Sequence, residues 1–294
     1  MTKLAISRAA AYICRMRQHT DISRHEQLFA DYAALKRAEA HDDAAPLDLK
    51  IRHTSHVLAN ARDIVGNERF SPLIARSCLL AALYHDVARF EQYLRYHTFK
   101  DSESCNHGLT GLTILKRERF LDGEEKTVRR IVLAAVALHN RFALPRRLPE
   151  DLCLTARVVR DSDKLDILRV MDEHLRGPKP YCPTVVLSLP DNQDTAGKAV
   201  IDAAFAGRVA AYADLRSVND FRLLLGTWFF DMHFPASRNR FVEDGHAVRL
   251  LEALPSAAPY GPARNHLLAC FRSQGKFPRL RAVPPAIRKH EKIK

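Results

Sequence analysis

An all-α fold is what this chain predicts, on three observations. Glycine is sparse, at 11 of 294 residues. Runs of alternating Val, Ile and Thr are nearly absent, while Ala, Leu and Arg recur at intervals of three and four, the repeat of a helix face. Apolar residues make up 47% of the chain and charged residues 27%, the balance of a folded globular protein, and the length suffices for a sizeable core. The expected architecture is a helical bundle with additional C-terminal helices, one all-α domain over residues 1–275, followed by a basic tail over 276–294.

The elements follow in order. The spacing predicts helices over about 22–40, 48–66, 71–86, 106–120, 124–140 and 150–175, with more over about 196–232 and 240–272. "GNERFSP" separates the second from the third, with Ser71 as N-cap and Pro72 at the first helical position. "RFALPRRLPEDL" separates the fifth from the sixth. One long irregular piece, Gly177 to Gln193 with four prolines, reads as a connection, a short β-excursion or a lid.

Charge and cysteine usage narrow the functional classes. The six cysteines (Cys14, Cys78, Cys105, Cys153, Cys182, Cys270) form no C-x-x-C pair, so neither a disulfide framework nor a zinc ribbon is indicated. Arg8, Arg15 and Arg17 interrupt what would be the apolar stretch of a signal peptide, and no apolar run reaches membrane-spanning length; a cytoplasmic protein without membrane contact is expected. Net charge is +12, and the segment from Lys276 to Lys294 supplies half of it, with seven Lys or Arg against Glu291 alone. Such a tail is usually solvated; nucleic-acid binding through it is the minor alternative.

The chemistry lies in histidines and aspartates placed where apolar helices run out. His53, Val57, Ala61 and Ile64 fall on one helical face, with His56 toward solvent. His85 and Asp86 follow "ARSCLLAALY", a segment apolar nearly all round. A buried carboxylate beside a buried imidazole costs several kcal/mol unless something charged compensates them, and a divalent cation does so. Further on stand His107 in "SCNHGLTGL", His139 in "IVLAAVALHNR", and Asp161, Asp163 and Asp166 in "VVRDSDKLDIL". A lone core histidine is commonly just a hydrogen-bonded side chain. Five helices each bringing a His or Asp into apolar surroundings point instead to a common centre. Neither a G-x-S-x-G elbow nor a G-x-x-x-x-G-K-[ST] loop is present.

The ordered set His53, His85-Asp86 and Asp163 resembles the HD-domain superfamily of metal-dependent phosphohydrolases over about residues 48–168. Carried over residue by residue, the resemblance implies that His53, His85, Asp86 and Asp163 are metal ligands, with Asp161 as the competitor for the last place. His107 and His139 stand where two-metal branches carry additional ligands, which implies two ions bridged by Asp86. The implied cofactor is a divalent transition metal (Fe, Mn, Zn, Co or Ni), with Mg as a further option. Such metals lower the pKa of a bound water toward about 7 and stabilise charge on the attacking and leaving oxygens.

No "GYP" triplet follows the third motif, so the cyclic-dinucleotide branch is not indicated. "ARFEQYLRYHTFKDSESCNHG" resembles a bacterial subgroup of HD proteins, of unassigned substrate, with R-F-x-Q and T-F-x-D elements. The implied partner is a phosphorylated small molecule or nucleotide. Arg89 and Lys164 are the candidate catalytic cations, followed by Arg141, with Gln92, Thr98, Asp101 and Asn140 as orienting groups. Two other readings stay open: a mixed-valent di-iron oxygenase on the same ligands, which resembles myo-inositol oxygenase, and a non-catalytic nucleotide-binding regulator.

Overall fold

The third helix in the described chain is the axis around which the rest is laid. In a computed structural model, residues 20–181, 185–191 and 196–273 are described. Helix α1 spans Ser23–Glu39, α2 Ala45–Asn67 and α3 Pro72–Tyr84. As "GNERFSP" predicts, Pro72 opens α3 and the Ser71 hydroxyl accepts from the Ile74 amide at 3.3 Å. From Ser77 to Tyr84 every residue of α3 is buried, which is why its sequence is apolar on all sides. It packs against α2, α6 (Lys126–Leu138) and α7 (Glu150–Leu175).

The helix predicted to run to residue 86 stops at Tyr84, and α4 begins at Ala88 and ends at Tyr96. The cause is local. The His85 imidazole bonds the carbonyl of Ala82 at 2.8 Å, taking an acceptor that the next backbone amide would use, and His85 to Val87 form a turn. The same device ends α6, where His139 bonds the carbonyl of Val136 at 2.7 Å just after Leu138. Between them, α5 runs His107–Arg117, with the Asn106 side chain capping it through the Leu109 amide at 3.1 Å.

Toward the C-terminus the long predicted helices are broken into shorter ones. The 196–232 stretch is α8 (Lys198–Phe205), a 3-10 turn (Tyr212–Asp214), α9 (Val218–Thr227) and another 3-10 turn (Trp228–Asp231). The 240–272 stretch belongs to α10 (Pro235–Glu243), α11 (His246–Glu252) and α12 (Tyr260–Arg272). Gly245, at φ +74°, makes the break between α10 and α11 that a side chain would resist. Ser217 sets the start of α9 by accepting from the Asp220 amide.

The apolar side chains form two cores. The first gathers α1 to α6 and Ala156, Val158 and Val159 of α7; the second gathers Leu165, Leu168, Met171 and Leu175 of the same helix with α8, α9, α11 and α12. Helix α7, 26 residues and so about 39 Å long, belongs to both. Its middle, Arg160 to Lys164, is the polar interval between them. No strand occurs among the described residues, and no helix among them is long and apolar enough to cross a membrane. Cys14, Cys182 and the 276–294 tail lie outside the described residues.

Candidate metal centre

Four histidines from four places in the fold turn their Nε2 atoms, in two pairs, to adjoining interior points. His53 comes from the middle of α2, His85 from the end of α3, His107 from the start of α5 and His139 from the end of α6; all are buried. The Nδ1 of each meets an acceptor. For His85 and His139 it is the helix carbonyl already described. His53 Nδ1 meets Asp166 Oδ2 at 2.7 Å and His107 Nδ1 meets Asp101 at 2.7 and 2.8 Å. Since carbonyl and carboxylate oxygens only accept, Nδ1 carries the proton in each neutral ring, and Nε2 presents a bare lone pair.

Those lone pairs face one another and two carboxylates. His53 Nε2 lies 3.3 Å from His85 Nε2 and 3.1 Å from Asp163 Oδ1, which is 3.7 Å from His85 Nε2. His107 and His139 have their Nε2 atoms 3.0 Å apart, and Asp86 Oδ1 is 3.4 and 3.7 Å from them. Asp86 Oδ2 meanwhile stands 3.6 Å from both His53 and His85. The six side chains thus form two triads, with Asp86 reaching into both.

Acceptors packed against acceptors repel unless a cation lies among them. In either triangle the point equidistant from the three atoms is about 2 Å from each, the length of a bond from zinc to nitrogen or oxygen. The donor set therefore fits a divalent metal in both places, with imidazole nitrogens suited to a transition metal.

The electrostatics agree. Burial pulls His85 down to about 4 despite Asp86 and Asp163. Burial, then Arg89, pulls His107 down to about 3. Both rings are thus neutral at physiological pH, as metal ligands must be. Burial alone would raise Asp86, but Lys50, then His85 and Arg89, hold it well below the carboxylate range. Burial likewise works to raise Asp163, but the bond to His53 together with the charges of His85 and His53 outweighs it and keeps Asp163 ionised. For His53, burial and then Lys50 work against a proton, yet the carboxylates Asp163 and Asp166 prevail and raise its pKa; a cation on Nε2 would take that proton's place.

The surroundings explain the R-F-x-Q and T-F-x-D elements. Arg89 Nη1 donates to Gln92 Oε1 (2.7 Å), Phe99 O (2.5 Å) and Asp101 Oδ1 (3.0 Å), and Arg89 Nε reaches Asp86 Oδ1 at 3.3 Å. Gln92 Nε2 donates to Asp101 and to Ser104 Oγ at 2.7 Å. Asn140 Nδ2 donates to Asp101 Oδ2 at 3.0 Å, and a Cβ at Gly108 would stand 2.8 Å from Asn140 Oδ1, so glycine leaves the room Asn140 occupies.

Other sequence candidates are placed elsewhere. Lys164 does not join the cluster: its ammonium is held by Asp231, beside Arg160, because successive helical residues diverge by about 100° and Asp163 takes the inward direction. Asp161 accepts from the His233 amide (2.8 Å), the His233 ring (2.9 Å) and Ser237 Oγ (2.5 Å), tying α7 to the start of α10; it is Asp163 that meets the histidines. Arg141 and His56 are exposed, and Thr98 accepts from the Lys100 amide.

Two groups near the centre escaped the sequence reading. Lys50 donates to Asp86 Oδ2 at 2.6 Å; its place three residues before His53, on the same face of α2, was the available signal. Tyr212, far away in sequence, has a half-exposed ring, while its hydroxyl proton is held on by burial and then by the charge of Asp163, with Arg89 opposing. The centre opens toward solvent on one side. Asp163 marks that side, with 20% of its side chain exposed against at most 6% for the other five. A cavity of ≈ 60 Å³ between α2 and α7, lined by Leu49, Lys50, His53, Ile167 and Val170, adjoins it. The larger hollow, ≈ 480 Å³, has none of the six side chains in its wall.

Residues 51–168 match the family model of the HD domain, an interval that begins two residues before His53 and ends five after Asp163. Over that interval, about two fifths of the chain, the protein is similar to the HD domain. The match takes in both triads and the network behind them, and of the second core it takes in Leu165, Ile167 and Leu168 alone. No curated protein and no solved structure matches the chain.

Proposed function

We propose that this protein is a metal-dependent phosphohydrolase acting on a phosphate ester of a small molecule or nucleotide. The observation that carries the reading is the pair of triads: four imidazoles with Nδ1 committed to acceptors and Nε2 turned, with two carboxylates, toward two points about a metal bond length away. His53, His85, Asp163 and Asp86 Oδ2 would hold one divalent ion, and His107, His139 and Asp86 Oδ1 the other. Bound there, the ions supply an activated water and charge stabilisation at phosphorus.

The chain's own groups do the rest. Asp101 and Asp166 keep His107 and His53 in the tautomer that leaves Nε2 free. Arg89 is clamped through Nε and Nη1, and among the described residues its Nη2 has no hydrogen-bond partner, so it can meet a phosphoryl oxygen. Lys50 stands on the other carboxylate oxygen of Asp86 and adds a second positive charge beside the opening. Lys164, paired with Asp231, is given no part in the chemistry.

The test is hydrolysis of p-nitrophenyl phosphate and a series of 5′-nucleotides by protein loaded with Mn, Fe, Co, Ni, Zn or Mg, run without oxygen, with metal content measured on the same samples. Phosphate release that needs metal and disappears in Asp86→Ala supports the reading. Turnover that requires both iron and dioxygen would overturn it in favour of the oxygenase built on the same four His and two Asp ligands. Metal retained at full occupancy without turnover of any ester would point to the regulator.

A further inference from the structure

We infer that Asp101 is a positioning residue that sets the metal affinity of the His107–His139–Asp86 triad and, through Arg89, ties metal loading there to phosphate binding. The inference rests on the two-ion reading above and adds a coupling between its parts.

Asp101 sits in a 3-10 turn, Asp101–Glu103, six residues before His107. Its carboxylate receives His107 Nδ1 on both oxygens, Arg89 Nη1 (3.0 Å) and Gln92 Nε2 (3.1 Å) on Oδ1, and Asn140 Nδ2 (3.0 Å) on Oδ2. Two of these donors, His107 and Arg89, also stand at the centre itself. His107 Nε2 and Arg89 Nε lie 3.4 and 3.3 Å from the same atom, Asp86 Oδ1. A closed ring results: Asp101 to His107, His107 across the triad to Asp86, Asp86 to Arg89, and Arg89 back to Asp101.

The other triad lacks such a ring. Asp166, behind His53, is engaged by Arg169 at 2.6 and 3.1 Å, and Arg169 turns outward to Glu173 at 2.9 Å. The two halves of the centre therefore differ in kind. A carboxylate behind each triad raises the basicity of one imidazole, but only Asp101 shares its charge with the arginine proposed to meet phosphate.

Physical consequences follow from the ring. With a cation among His107, His139 and Asp86, the negative charge of Asp86 is spent on it and its hold on Arg89 weakens. Asp101 still fixes Nη1, so the guanidinium stays aimed while its charge becomes available to an anion. By linkage, phosphate must then tighten metal binding in this triad by the factor by which the metal tightens phosphate.

The experiment is titration of the metal-free full chain with Mn²⁺, followed by electron paramagnetic resonance of free and bound ion, with and without inorganic phosphate. Wild type, Asp101→Asn, Arg89→Met and Asp166→Asn are compared. Wild type should take up two equivalents, the weaker tightened by phosphate. Asp101→Asn should keep the first equivalent, which shows that it is folded, and weaken the second by roughly 10- to 100-fold with no phosphate effect. Arg89→Met should bind both equivalents but lose the phosphate effect, and Asp166→Asn should weaken one equivalent while keeping it.

If Asp101→Asn binds both equivalents as wild type does, or if phosphate still tightens the second equivalent in Arg89→Met, the inference is overturned and the two-ion reading stands. If wild type itself binds fewer than two ions, both fall.

Discussion

Two buried polar clusters, one beside each core, are organised in opposite ways. In the second, every hydrogen bond around Asp220 joins a donor to an acceptor: its carboxylate takes the amides of Gly197 (3.0 Å) and Arg216 (2.8 Å) and the hydroxyl of Tyr260 (2.9 Å). Asp172 is likewise met by His246 and Arg249, each at 2.8 Å. In the first, four imidazole lone pairs and two carboxylates are packed acceptor against acceptor. Matched burial holds a chain in shape; mismatched burial marks a place for something else. Helix α7 carries both kinds, with Asp163 in the mismatched set and Asp172 two and a half turns further on in the matched one.

The contrast can be broken by exchanging the damage. Asp86→Ala should empty both triads and depress ester hydrolysis by more than roughly a hundredfold, the most that losing an outer partner costs, with melting behaviour close to that of metal-free wild type. Asp220→Ala should do the reverse, leaving metal content intact while buried donors lose their acceptor at a cost of about 1–3 kcal/mol, read from chemical denaturation. Metal loss from Asp220→Ala, or none from Asp86→Ala, would erase the distinction between the clusters.

Chelation is the next largest effect. An ion present at a hundred times its Kd stabilises the fold by about 2.7 kcal/mol, so stripping metal should lower the midpoint by several degrees in differential scanning calorimetry, at roughly 2 °C per kcal/mol for a long chain. Acidification sharpens this. In metal-free protein His85 and His107 are held down at about 4 and about 3, while the unfolded rings bind protons near about 6.5. The unfolded state therefore takes up protons first, and stability should fall as pH drops from about 6.5 toward those values.

His53, with its raised pKa, works in the opposite sense: its contribution is complete below the unfolded value and is lost as pH rises through the folded one. The two lowered rings outweigh the one raised. A midpoint of metal-free protein that rises between pH 6.5 and 4 would show that the buried rings are not held neutral.

The all-α class and the order of the central helices were legible because helix periodicity and capping are local. So was the set His53, His85, Asp86, His107, His139 and Asp163, five of them buried and Asp163 partly so, each on a helix or at its end. What stayed hidden depends on contacts distant in sequence. Asp166 meets His53 across 113 residues, and nothing in "SDKLDIL" distinguishes its partner from solvent. Lys164 was drawn in by adjacency to Asp163, but adjacency on a helix means divergence. Tyr212 comes from a region whose predicted long helix is broken by turns at 206–217, and its direction is set by tertiary packing.

The account stands on cations at the meeting points of the imidazole Nε2 atoms, and anomalous X-ray scattering from crystals grown without chelator tests that directly. It should return two peaks, one among His53, His85, Asp86 and Asp163 and one among His107, His139 and Asp86, at an absorption edge of a divalent metal. Protonated Nε2 atoms donating to Asp86 and Asp163, with no anomalous signal in either triad, would contradict it.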